Sequence, residues 1–291
     1  PQMKPETITR ADIEAQVGGV STDNAAASLD AIAADSDAGA SLEQAAAPEP
    51  EAAAAPEPAP AAEPEPEPAP APEPAALSAA AQAAIDADMS GTLDAGISRD
   101  AAFALLETYN QDPFHVTHGE TLEGLMRYYA EKYDPANVDF WGVVGLLHDL
   151  DWEKFPSVEG HTVKTAELLD EAGAAPQLAH AIMTHNSDNN DKLPAPELKM
   201  ERVLFACDEL SGLIQAAVLM RPSGSVMDFE TKSLKKKFKD KRFAAGCSRD
   251  VIRKGAELND LELTDLFSSV IEAMKSIAPD RDTFVADASA E

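Results

Sequence analysis

From Ser98 onward the apolar positions recur at spacings of three and four, and no run alternates with a period of two. Ser98 precedes RDAAFALLETY and is placed to cap a helix. Asp112-Pro113 breaks the chain. HGETLEGLMRYYAEKY then sets Leu122, Leu125, Met126 and Tyr129 on one helical face, and Asp134-Pro135 ends it. VDFWGVVGLLHDL is apolar almost all round, which predicts a buried helix rather than a surface one. A loop, DWEKFPSVEG, leads to HTVKTAELLDEAG, which is amphipathic and closed by Gly173. Pro176 opens QLAHAIMTHN, a polar loop follows, and LKMERVLFACDELSGLIQAAVLM is a long helix. Shorter helical segments run on to about Ile277. The pattern predicts an all-α fold of six or more helices without internal repeats.

Composition divides the chain. Residues 1–98 hold 18 Asp and Glu against only Lys4 and Arg10, and residues 44–76 are little more than Ala, Glu and Pro. Such a stretch cannot bury enough apolar surface to offset the entropy of ordering it. The expected organisation is therefore an acidic, disordered Ala/Glu/Pro-rich region at 1–98, a helical domain at 99–278 and a disordered tail at 279–291. The net charge of −29 gives no electrostatic attraction to nucleic acid or to an anionic membrane surface. No apolar run approaches the roughly 20 residues of a membrane helix, and the start, PQMKPETITR, lacks the apolar stretch of a signal peptide. Cys207 and Cys247 make no disulfide framework, so a cytoplasmic setting is expected. Oligomeric state is left open.

The chemistry concentrates at a few polar positions. His148-Asp149 ends the most apolar helix, where an unpaired charge is costly and a bound divalent cation is one possible partner. A His–Asp pair that holds a loop is the simpler alternative. His118 near a helix start, His161 at another, His185 at the close of a third and Asp208 inside RVLFACDELSGLI add ligand-type side chains on separate helices.

His118, the pair in LLHDLDWEKFP and the late Asp208 resemble the H…HD…D signature of the HD-domain superfamily of metal-dependent phosphohydrolases. The resemblance implies an HD-type helical bundle with His118, His148, Asp149 and Asp208 around one metal. It also implies that His161 and His185 hold a second ion, with Asp149 bridging the two. The interval from His148 to His161 is short beside many two-metal members. The implied cofactor is a divalent ion (Mn, Fe, Zn or Mg), one or two per chain, and the implied partner is a small phosphorylated substrate. Asp149, Asp151 and Lys154 are the catalytic candidates, Asp151 as a proton-transfer group and Lys154 as a phosphate contact. A di-iron oxygenase of the same fold and a non-catalytic, metal-containing regulatory domain are the competing readings.

Two weaker signals remain. KSLKKKFKDKR at 232–242 places seven Lys and Arg on an acidic protein, either to collect an anion or as the solvated face of a helix with Leu234 and Phe238 inward. DADMSGTLDAGI at 86–97 resembles an EF-hand calcium loop but has Ile97 where the bidentate Glu belongs, so a turn between helices is expected.

Overall fold

The computed structural model describes residues 77–157 and 160–281. Among these every regular element is helical. The α-helices are α1 (Ala79–Ile85), α2 (Arg99–Tyr109), α3 (Pro113–Tyr133), α4 (Val138–Leu147), α5 (Val163–Glu171), α6 (Pro176–Met183), α7 (Lys199–Leu219), α8 (Thr231–Lys239), α9 (Arg249–Leu258) and α10 (Leu263–Arg281). Short 3-10 turns lie at Thr184–Asn186 and Val226–Asp228. None of these helices is long and apolar enough to cross a membrane.

Local signals account for several helix ends. Ser98 accepts a hydrogen bond from the Ala101 amide at the start of α2, as its side chain type predicts. Asp112-Pro113 does not break the chain but begins α3. Asp112 caps the Phe114 amide and Pro113, which has no N–H to lose, takes the first turn. As a result α3 starts five residues before HGETLEGLMRYYAEKY, and His115 sits inside the helix rather than ahead of it. Gly173, at φ +75°, ends α5 in the left-handed conformation that glycine adopts without strain.

Helix α4 is buried along its length, as its uniform apolarity predicts. It crosses α3 at nearly backbone contact. A Cβ on Gly145 would lie 2.5 Å from the Leu122 carbonyl oxygen, and one on Gly119 would lie 2.8 Å from that of Leu146. This closeness is what brings His118, beside Gly119, up to His148, the C-cap of α4. Helix α7 runs through the middle of the core with Leu204, Leu210, Leu213 and Ile214 fully buried. At its crossing with α9, a Cβ on Gly255 would meet the Ala206 Cα at 2.7 Å.

Residues 77–98, expected to belong to the acidic low-complexity region, instead pack on the domain. Ala81 and Ala84 of α1 are fully buried. His180 Nδ1 donates to the Ala84 carbonyl at 2.9 Å, the Leu93 amide to Asn137 Oδ1 at 2.7 Å, and the Ala175 amide to the Ala95 carbonyl at 2.9 Å. Alanine faces pack through close approach rather than through large side chains, so composition alone gives them no weight. The rest of the region expected at 1–98, residues 1–76, lies outside the described residues, as do residues 282–291 of the tail expected at 279–291, whereas residues 279–281 continue α10. The 86–97 loop does join two helices, but Asp88 and Asp94 spend an oxygen each on the Ser90 and Gly96 amides. Among the described residues no trio of ligand atoms converges there.

Candidate metal centre

The six residues singled out in the sequence come together. His118 from α3, His148 and Asp149 after α4, and Asp208 from α7 form one group. Asp149, His161 at the entry to α5 and His185 in the 3-10 turn after α6 form a second. Within each group the ligand atoms all lie within 4.8 Å of one another. Asp149 belongs to both through different oxygens. Its Oδ2 is 3.3 Å from His148 Nε2, and its Oδ1 is 3.1 Å from His161 Nε2 and 3.7 Å from His185 Nε2. Asp208 Oδ1 closes the first group, 3.2 Å from His118 Nε2 and 3.4 Å from His148 Nε2.

The histidine tautomers follow from their outer hydrogen bonds. His148 Nδ1 meets the Gly145 carbonyl at 2.8 Å and His185 Nδ1 meets the Ile182 carbonyl at 2.6 Å. A carbonyl only accepts, so both Nδ1 atoms carry the proton and both neutral rings turn an Nε2 lone pair inward. His161 Nδ1 donates in the same way to Asp151 Oδ1 at 2.7 Å. The lone pairs of His161 and His185 Nε2 then face one another 3.0 Å apart, and His118, whose Nδ1 has no hydrogen-bond partner among the described residues to fix its tautomer, brings its Nε2 to 3.2 Å from that of His148. Neutral rings so arranged repel unless a cation, a proton or a metal ion, lies between them. The donor set of imidazole nitrogen and carboxylate oxygen suits a borderline divalent ion in each group.

Electrostatics describe the protonated alternative. Burial disfavours a charged His148, but Asp149 and Asp208 outweigh it and hold the ring well above its usual pKa. His161 is raised to about 9, burial again being overcome by Asp149 and Asp151. The carboxyl of Asp149 is driven well below the usual range despite burial, by His148, His161 and His185. A group whose folded pKa is raised stabilises the fold below its unfolded pKa, near 6.5 for histidine, and loses that contribution as pH rises through the folded value. Metal-free protein should therefore lose thermal stability between pH 6.5 and about 9, whereas metal-loaded protein, with ligands already deprotonated, should lose little over that window. Thermal melts with and without chelator check this. A metal-free transition that rises or stays flat over the window would count against the assignment.

Two catalytic candidates stand elsewhere than expected. Asp151 is fully buried, and its carboxylate accepts from His161 Nδ1, from the Thr162 amide at 2.8 Å and from the Thr165 amide at 3.1 Å. It holds His161 and the first turn of α5, including Thr162 at φ +69°, and has no exposed oxygen with which to exchange protons with a substrate. Lys154 is exposed, donates to the Thr108 carbonyl and lies 4.9 Å above the Tyr109 ring. It is spent on the end of α2 and does not line the cavity beside the centre. Residues 232–239 of the basic run fall on α8 with Leu234 and Phe238 buried, the solvated-helix arrangement, and no Lys or Arg of the run lines that cavity.

The cavity, of about 400 Å³, is lined by all the centre's residues except the fully buried His148. Phe114, Trp152, Gly212, Cys247 and Val251 supply apolar surface, and no Lys or Arg is among the lining residues. His115 also lines it and meets Glu153 at 3.0 Å, whereas His180 packs on α1. Sequence reasoning missed three contributors. Glu209, next to Asp208, lines the cavity and accepts from the Ser248 amide. Burial and then the Asp208 charge push its pKa up to about 8. Gly246 to Ser248 form a wall shaped by Arg249, whose buried guanidinium donates to the carbonyls of Ala244 and Cys247 at 2.6 Å each and to those of Asp240 and Phe243. The adjacency of Glu209 to Asp208 was the one available signal. The turn around Arg249 has no pattern in the sequence.

Residues 116–213 match the HD domain family. The chain carries an HD domain. All six residues of the centre fall within that HD segment, and the wall at 246–251 lies beyond it. Ribonuclease Y of Geobacter metallireducens is 41% identical over 69 residues, 23% of this chain and 12% of that protein. Ribonuclease Y of Geotalea uraniireducens is 44% identical over 69 residues, with the same coverage of 23% and 12%. The chain thus spans about 12% of the length of the curated relatives it matches. No solved structure matches.

Proposed function

We propose that this HD domain is a metal-dependent phosphohydrolase acting on a small phosphate ester or nucleotide, with His118, His148, Asp149 and Asp208 holding one ion and Asp149, His161 and His185 a second. The observation that carries the reading is the position of Asp149, with one oxygen turned to each histidine group. Bound there, the ions would supply Lewis acidity, making a nucleophile of water and drawing charge from a phosphoryl oxygen. The chain's own part is to fix the ligands. The Gly145 and Ile182 carbonyls and the Asp151 carboxylate lock three tautomers, so the donor atoms need no rearrangement. Phe114 lies parallel to the His118 ring at 6.2 Å, and Trp152 meets His161 edge-on at 5.0 Å. Both rings add apolar surface to the cavity beside the centre. The relatives' name points to a phosphodiester bond as the target. The net charge of −29 and a cavity wall without Lys or Arg favour a small ester over a long polyanion.

The test is a panel of phosphomonoesters, phosphodiesters and nucleotides offered to the purified protein with added Mn. Cleavage of at least one, lost on chelation and restored by Mn, is expected. Failure to cleave any phosphate compound, together with oxygen consumption by an iron-loaded reduced protein, would replace this reading with the oxygenase one.

A further inference from the structure

Helical glycines in this fold mostly have an evident packing reason. A Cβ would lie 2.8 Å from the Leu146 carbonyl oxygen at Gly119, 2.8 Å from Ile277 Cδ1 at Gly124, 2.5 Å from Arg127 Nε at Gly142, 2.5 Å from the Leu122 carbonyl oxygen at Gly145 and 2.7 Å from the Ala206 Cα at Gly255. Gly212 is different. It lies inside α7, its φ is not positive, and the one atom near an added Cβ is Cys247 Sγ at 3.4 Å, an ordinary contact. Neither backbone conformation nor packing calls for glycine there, and glycine is the poorest helix former after proline.

Its place in the fold supplies a reason. Gly212 is one helical turn beyond Asp208, so the two share a face of α7, and both line the cavity. Cys247 stands beside bare backbone at Gly212, and the same cavity carries Val251 and the rings of Phe114 and Trp152. A volume of about 400 Å³ exceeds what a phosphoryl group and two ions occupy and lies within the range of ligand-sized pockets, roughly 300–1,000 Å³.

We propose that Gly212 is a specificity-determining residue: the missing side chain opens a subsite, beside Cys247 and Val251, for an aromatic or similarly bulky apolar group carried by the molecule that binds the metal centre. This rests on the metal assignment and not on the phosphoester reading.

The test uses two metal-binding probes that contain no phosphate. Acetohydroxamate and benzohydroxamate share a chelating group and differ in a methyl against a phenyl ring. Calorimetric titration of the Mn-loaded full chain should show benzohydroxamate bound about tenfold more tightly, as burial of a ring's extra apolar area implies. In Gly212→Val the preference should fall to near one, while acetohydroxamate affinity stays within about threefold. Gly212→Ala, which adds only a methyl, should reduce the preference part-way and raise Tm by roughly 2–4 °C, because helix propensity improves without a clash. A structural role for the glycine would lower Tm and leave the ratio alone, and that result overturns the proposal. So does a wild type with no ring preference, or one that binds neither hydroxamate. A retained ring preference in a protein that cleaves no phosphoester would uphold the subsite and remove only the hydrolase reading.

Discussion

Asp149→Ala should emerge from purification folded but with most of its metal gone. The carboxylate is common to both ligand groups, so its removal takes one donor of four from the first and one of three from the second. Of the carboxylates in contact with the centre's histidines, Asp208 faces His118 and His148 and Asp151 is spent on His161 and two amides, so neither stands in for Asp149 in the second group. The expected metal content, read by elemental analysis, falls from about two ions per chain to less than about 0.3, and hydrolysis falls by at least about a thousandfold. Without metal the variant also loses the carboxylate that favours protonated His148 and His161, so its metal-free Tm below about pH 6.5 should fall while the protein still folds. Full occupancy in this variant would sink the ligand assignment at a stroke.

Asp151→Ala should produce a different defect, the loss of one ion rather than two. Asp151 touches no group of the first set and reaches the second only through His161 Nδ1. Without the carboxylate, the imidazole can move its proton to Nε2, and the lone pair that should face the ion is lost. Outer-sphere partners of this kind are worth about 10–100-fold in metal affinity, or about 1.4–2.7 kcal/mol. Stoichiometry at limiting Mn should drop to about one. Asp151→Asn is the sharper variant. It keeps the shape and one acceptor oxygen, and a carbonyl oxygen toward Nδ1 would preserve the tautomer, so it should retain more second-site affinity than Ala. An Ala variant with both ions at wild-type affinity would reduce Asp151 to a helix-capping role for α5.

Much of this architecture was readable from local rules. Ser98, Gly173 and the uniform apolarity of α4 each act within a few residues, and each predicted its helix correctly. Asp112-Pro113 was ambiguous because the same dipeptide ends one helix and starts another, and the extended conformation before proline fits an N-cap as well as a break. Convergence of His118, His148, Asp149, His161, His185 and Asp208 was legible through the spacing of a known signature. The roles of Asp151 and Lys154 were not. Both follow the His-Asp pair closely, yet the 148–154 turns bury one against α5 and swing the other onto α2. Only the folded path of the chain decides which.

The turn organised by Arg249 gives the HD domain a division of labour. Everything that would hold an ion comes from the segment that matches the family, whereas Gly246, Cys247, Ser248 and Val251, which face whatever lies beside those ions, come from outside it. Arg249 gathers the carbonyls of this stretch inward and joins it to α9. The ligands and one wall of the cavity therefore have separate origins along the chain, while Gly212 and Trp152, which also face the cavity, come from the matched segment. A transplant of residues 240–258 between such domains would rebuild that wall around an unchanged ligand set and an unchanged Gly212.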